Sequence, residues 1–140
     1  MTMSRPMPRR TRSASRGFTL IEMMVVMAIM LILIGIAVPI YNQSVLRARE
    51  SVLRQDLFTL RSVIDQYTDD KEKAPQSLDD LVTAGYLKHI PVDPMTNSNS
   101  TWQVEQEDVL QSLNQQEPGI SDVHSGSSAT ASDGTTYSQW

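Results

Sequence analysis

The sequence predicts an α+β chain in which one long N-terminal helix carries a small C-terminal head of short helix and antiparallel strands. Three observations lead there. A predominantly apolar run extends from Phe18 to Ile40, and a one-faced hydrophobic stripe continues from Leu46 to Tyr67. From Asp69 onward Pro, Gly, Ser and Asn punctuate the chain at short intervals. With 140 residues in all, one small domain is the most that can follow such a helix.

The first segment, residues 1–17, is basic: Arg5, Arg9, Arg10, Arg12 and Arg16 stand ahead of Gly17 with no acid among them. The whole chain has 12 Lys+Arg and 16 Asp+Glu, net −4; without the leader the count is 7 against 16, or −9. An acidic chain of this kind is not expected to bind nucleic acid, which calls for clustered Lys and Arg. There is no Cys, so neither a disulfide framework nor thiol catalysis is available.

Residues 18–40 form the second segment. At about 1.5 Å per residue these 23 residues reach across a hydrocarbon core of about 30 Å. The unbalanced arginines ahead of them hold the leader in the cytoplasm and send the rest outward. Arg47, Arg49 and Arg54 follow the span, but Glu50 and Asp56 lie among them. Two plain readings suit such a span. One is a secretory signal peptide cut at Gly35-Ile36-Ala37, although the apolar run before Gly35 is long for that purpose and Glu22 interrupts it. The other is a simple anchor whose Glu22 snorkels to the headgroups.

Glu22 is the costly residue here, because a lone charge in a membrane segment calls for a partner. Further along, Pro39 deprives the Gly35 carbonyl of its helical donor, and Gly35 is itself a poor helix former. The pair is expected to kink or locally melt the helix. Met23, Met24, Met27 and Met30 belong to the apolar surface.

Residues 41–68 read as an amphipathic stem. Leu46, Leu53, Leu57, Leu60, Ile64 and Tyr67 recur at helical spacing, with Arg49, Glu50, Arg54, Asp56, Arg61 and Asp65 assigned to the rest of the circumference. A helix from Phe18 to Tyr67 would measure about 75 Å.

Residues 69–140 make the head. The polar, proline-ended stretch Asp69–Pro75 stops the stem. Ser77 caps a short helix with Asp79 and Asp80 in its first turn, and Gly85 ends it. Strands are expected at Ser100–Val104 and Asp108–Leu113. Pro118–Trp140, rich in Ser, Thr, Gly and Asp, reads by composition as loop or disordered.

No catalytic constellation is present. Serine is abundant without a nucleophile motif, no phosphate-binding loop exists, and His89 and His124 lie far apart with no Cys to complete a zinc site. No enzymatic role is expected.

The junction Gly17-Phe18-Thr19-Leu20-Ile21-Glu22, with Pro39 beyond it, resembles the prepilin signature of the type IV pilin-like family. The passage Pro75, Leu78, Leu81-Val82, Gly85-Tyr86-Leu87-Lys88, Pro91, Asp93-Pro94 is most similar to the major pseudopilins of type II secretion systems. The likeness weakens at Met95-Thr96-Asn97-Ser98, where that family usually continues with tryptophan, glycine and a Pro-Tyr pair.

The resemblance implies cleavage after Gly17 by a prepilin peptidase and N-methylation of Phe18. It further implies a helical homopolymer anchored in the inner membrane, with its head in the periplasm and an assembly platform and minor pseudopilins as partners. In that family Glu22 would meet the new Phe18 amine, and Gly35 and Pro39 would form a stretchable packing segment. Asp122-Val123-His124-Ser125 and Ser132-Asp133-Gly134, closing on Ser138 and Trp140, resemble a loop that holds calcium there, which points to Asp133 first and Asp122 second as ligands. A type IV pilus subunit shares the whole N-terminal logic and is the alternative. A membrane-tethered binding domain is a further one.

Overall fold

The computed structural model describes residues 17–107 and 118–140. The basic leader ahead of Gly17 and the strand expected at Asp108–Leu113 lie outside the described residues. The chain divides into two units after Pro39.

In the first unit, helix α1 (Leu20–Lys71, 52 residues) begins at Leu20. Thr19 caps it: its Oγ1 accepts the backbone N–H of Glu22 at 3.2 Å, and its carbonyl accepts that of Met23 at 3.2 Å. Helical geometry continues through Gly35 and Pro39, so the local melting expected there does not occur. One missing donor removes a single rung of the helical ladder, and the rungs on either side carry the backbone across. The apolar side chains of this stretch are exposed, from Phe18 (72 %) to Tyr41 (68 %). The most apolar part of α1 is long and apolar enough to cross a membrane, with a mean hydropathy of 2.9 over 18 residues, none of them buried.

In the second unit the rest of α1 carries the core. Its buried face is Glu50, Leu53, Leu57, Leu60, Ile64 and Tyr67. Two expectations are corrected. Leu46 lies outside the stripe and is 38 % exposed, whereas Glu50, placed on the polar circumference, is buried. Position 50 continues the 3–4 spacing back from Leu53, and the acid is tolerated because hydrogen bonds satisfy it, as set out below. α1 ends at Lys71, past the boundary expected at 68, with Glu72 in the left-handed region at φ +53°.

Helix α2 (Leu78–Thr83) forms as its cap predicts. Ser77 Oγ accepts the Asp80 N–H, and Asp80 Oδ2 accepts the Ser77 N–H at 3.0 Å, a reciprocal capping box. Gly85 at φ +86° turns the chain away, and the Tyr86 N–H donates back to the Leu81 carbonyl at 2.9 Å. Leu78 and Leu81 enter the core, and Tyr86 meets Tyr67 edge-on at 5.5 Å.

Strands β1 (Gln103–Gln106) and β2 (Ile120–His124) pair antiparallel. The first was expected to begin earlier, at Ser100. The second falls in the segment expected to be loop or disordered, which is the larger correction. A tail with few apolar residues does order when most of those few are buried: Ile120, Val123, Ala131 and Tyr137 join Trp102 and the α1 stripe in one core. β2 escapes period-two reading because of a bulge. Glu105 pairs with Asp122 but Gln106 with Ile120, so Ser121 is extra. That insertion turns both Ile120 and Val123, three apart, toward the core. Beyond β2 a single 3-10 turn, Tyr137–Gln139, buries Tyr137.

Close backbone approach fixes Gly126, where an added Cβ would lie 2.0 Å from the Thr101 carbonyl oxygen. Beside it the buried Asp93 accepts Ser125 Oγ–H at 2.6 Å and Gly126 N–H at 3.3 Å on Oδ2, and Met95 N–H at 2.8 Å on Oδ1. This carboxylate ties the loop after α2 to the end of β2.

Candidate functional site

The N-terminal site is built around Glu22. The Thr19 cap sets Glu22 in the first turn of α1, where the free N–H groups and the helix dipole favour a negative charge. No hydrogen bond or ion pair engages its carboxylate among the described residues. Phe18 lies four positions earlier and Gly17 next to it, and both are exposed. Cleavage there would place a new amine about one turn from Glu22. Gly35 likewise faces open space, and Pro39 lies four residues on within the helix.

The C-terminal segment is held to α1 by two polar clusters. In the first, Glu50, 4 % exposed, accepts Ser132 N–H at 2.7 Å, Ser132 Oγ–H at 2.5 Å and Tyr137 Oη–H at 2.9 Å. Burial pushes its carboxyl up, but the hydrogen bonds from Ser132 and Tyr137 outweigh that and hold it below the usual glutamate range. Burial, together with the hydrogen bond to the Glu50 carboxylate, raises the Tyr137 phenol to about 12.

The second cluster centres on Arg61. Its Nε donates to Asp122 Oδ1 at 2.5 Å, and its Nη2 donates to the main-chain oxygens of Val123 at 3.0 Å and Trp140 at 2.5 Å. Burial raises the Asp122 carboxyl, but Arg61 and the Val123 N–H bring it below the ordinary value. His124 Nδ1 donates to the Trp140 oxygen at 3.3 Å, so its Nε2 faces Glu105 at 3.5 Å and Asp122 at 3.7 Å. Arg54 lies over the Trp140 ring at 4.3 Å, and Tyr137 packs edge-on against that ring at 5.1 Å.

These contacts test whether calcium suits Asp133 and Asp122. Asp133 Oδ1 accepts both Thr135 N–H at 2.9 Å and Thr135 Oγ–H at 2.5 Å, which holds its carboxyl below the ordinary value, and Oδ2 faces Arg54 at 3.7 Å. Asp122 is held by Arg61, and its ligand-capable neighbours are Glu105 and His124, not Asp133. Calcium takes six to eight hard oxygens with little competing positive charge. Here each carboxylate already faces an arginine, and the donor set does not fit the ion.

The sequence reading named Gly17, Phe18, Glu22, Gly35 and Pro39 together, and all lie on one N-terminal stretch. It did not find Glu50, Arg61 or Tyr137. Only Glu50 left a signal, by standing in register with the apolar stripe. The partners of Arg61 come from residues 61 to 79 positions away, beyond the reach of periodicity.

The family profile described as the prokaryotic N-terminal methylation motif matches residues 12–38. The type II secretion system core protein G of Escherichia coli (strain K12) is 32 % identical over 104 residues, covering 63 % of this chain and 72 % of that protein. The corresponding Pseudomonas aeruginosa protein is 36 % identical over 107 residues, covering 65 % and 73 %. A type IV major fimbrial protein, FimA of Dichelobacter nodosus, is 37 % identical over 65 residues, which is 46 % of this chain but 41 % of that protein. No solved structure matches the chain. With the methylation motif at the head of α1 and likeness to the core proteins reaching well past the helix, the chain belongs to the type II secretion system core protein G family, the pseudopilins.

Proposed function

We propose that this chain is the subunit of a secretion pseudopilus, cut after Gly17 by a prepilin peptidase, methylated on Phe18 and polymerised into a helical filament. The observation that carries this reading is the first unit: an exposed apolar helix whose first-turn carboxylate, Glu22, has no partner among the described residues. Apolar surface of this extent needs lipid before assembly and neighbouring helices after it. Glu22 and the Phe18 amine of an incoming subunit are opposite charges in a low-dielectric setting, where each alone costs far more than the pair. The pair therefore acts as a register check on subunit entry.

In this reading the arginine-rich leader stays in the cytoplasm, α1 crosses the inner membrane and the head stands in the periplasm. An assembly platform, minor pseudopilins and a separate cytoplasmic ATPase supply nucleation and energy, and the subunit's own role is mechanical, not catalytic. Growth of the filament toward an outer-membrane channel helps drive protein export.

The test is N-terminal mass analysis of the full chain co-expressed with a prepilin peptidase, with Gly17→Ala as control. A product starting at N-methylated Phe18 is expected. Cleavage after Ala37, or an intact leader, would end the filament reading.

A further inference from the structure

We propose that Arg61 is the built-in cation of the C-terminal loop, and that the head of this chain closes without calcium. Its guanidinium gathers one side-chain carboxylate oxygen, from Asp122, and two main-chain oxygens, from Val123 and Trp140. Carboxylates and main-chain oxygens are the hard-oxygen donors a calcium ion collects, so a side chain of the stem gathers the kind of donors a bound ion would. The planar fork presents several N–H donors in fixed directions, which lets one residue bridge β2 and the chain's last residues at once.

Three further contacts complete the closure without an ion. Arg54 covers the Trp140 ring, Trp140 Nε1 donates to Thr135 Oγ1 at 2.6 Å, and Glu50 holds Ser132 and Tyr137. Asp133, the acid that would lead a calcium site, is spent on Thr135 and faces Arg54. An ion at Asp122 would have to displace a guanidinium, and one at Asp133 would face the Arg54 charge.

This assignment concerns the head alone and stands whether or not the chain polymerises. It is tested by amide hydrogen exchange on the full-length chain in detergent micelles, read on peptides covering Ile120–Trp140. Exchange is expected to be the same in excess calcium chloride and in EGTA. Arg61→Gln should speed it about tenfold or more, the scale of losing a charge-assisted hydrogen bond. Slower exchange in calcium than in EGTA for the unsubstituted chain would overturn the proposal, as would unchanged exchange in Arg61→Gln. The calcium comparison needs no variant, so it decides even where Arg61→Gln fails to fold.

Discussion

Replacing Glu50 by alanine or glutamine tests whether a buried carboxylate fastens the C-terminal loop to the stem. Alanine removes the acceptor for three donors. Ser132 is exposed and finds water in its place, so the larger cost falls on the Tyr137 hydroxyl, whose residue is 2 % exposed and has no such recourse. An orphaned buried donor costs about 1–3 kcal/mol, and the lost hydrogen bonds to a charged acceptor add to it, giving about 2–4 kcal/mol for Glu50→Ala. Glutamine keeps the shape and one carbonyl, and should cost about 1–2 kcal/mol.

The pH dependence separates this from a packing effect. Glu50 has its carboxyl lowered in the folded chain, so its stabilisation is present above the ordinary glutamate range and is lost as pH falls through the lowered value. The gap between the unsubstituted chain and Glu50→Gln should therefore narrow in acid. Denaturant titrations of the full chain in micelles, read by tryptophan fluorescence with the buried Trp102 as core reporter, measure it. A gap that does not change with pH, or a glutamine variant at least as stable as the parent at neutral pH, would refute the reasoning. The second result would mean that desolvating the charge costs more than its three hydrogen bonds return.

Tyr137, raised to about 12, sets the alkaline edge. Its protonated form is favoured by folding, so stability is present below the free phenol's value and lost as pH rises toward 12; Tyr137→Phe should cost about 1 kcal/mol at neutral pH yet flatten that alkaline loss in the same titration. Gly126→Ala drives a Cβ into the Thr101 carbonyl and should destabilise the head by about 2 kcal/mol or more, read as a lowered denaturant midpoint. Glu22→Gln should leave head stability and membrane insertion unchanged while abolishing filaments in a shearing assay, and normal filaments would remove Glu22 from assembly.

The elements legible in the sequence were those written in local chemistry. The apolar run to Ile40, the Ser77 cap and the Gly85 stop each rest on residues within a few positions of one another, and each stands where it was expected. Glu50 was misplaced because a charge was read as a surface marker, although the spacing from Leu53, Leu57 and Leu60 already put position 50 on the buried face. β2 was lost for a different reason. Its bulge at Ser121 shifts the period, and a Ser- and Thr-rich tail resembles disorder until the partners of Val123 and Tyr137 are known. Long-range pairing of a few apolar residues is invisible to composition.

The two units are held by different forces, and this shapes how each can change. In the first, apolar side chains are interchangeable in size and position so long as a membrane or a neighbouring helix covers them; specificity rests on Gly17, Phe18 and Glu22. In the second, the segment after β1 brings too few apolar groups to hold itself by burial alone. Glu50, Arg61 and Asp93 supply the difference, each tying residues more than 30 positions apart through directional bonds. A directional bond is lost whole when one partner goes, and where the group left behind is buried, as the hydroxyls of Tyr137 and Ser125 are, it is also left unsatisfied. Conservative changes within the Phe18–Ile40 run should therefore be tolerated many at a time, whereas single changes at these three polar residues should loosen the loop that closes the head.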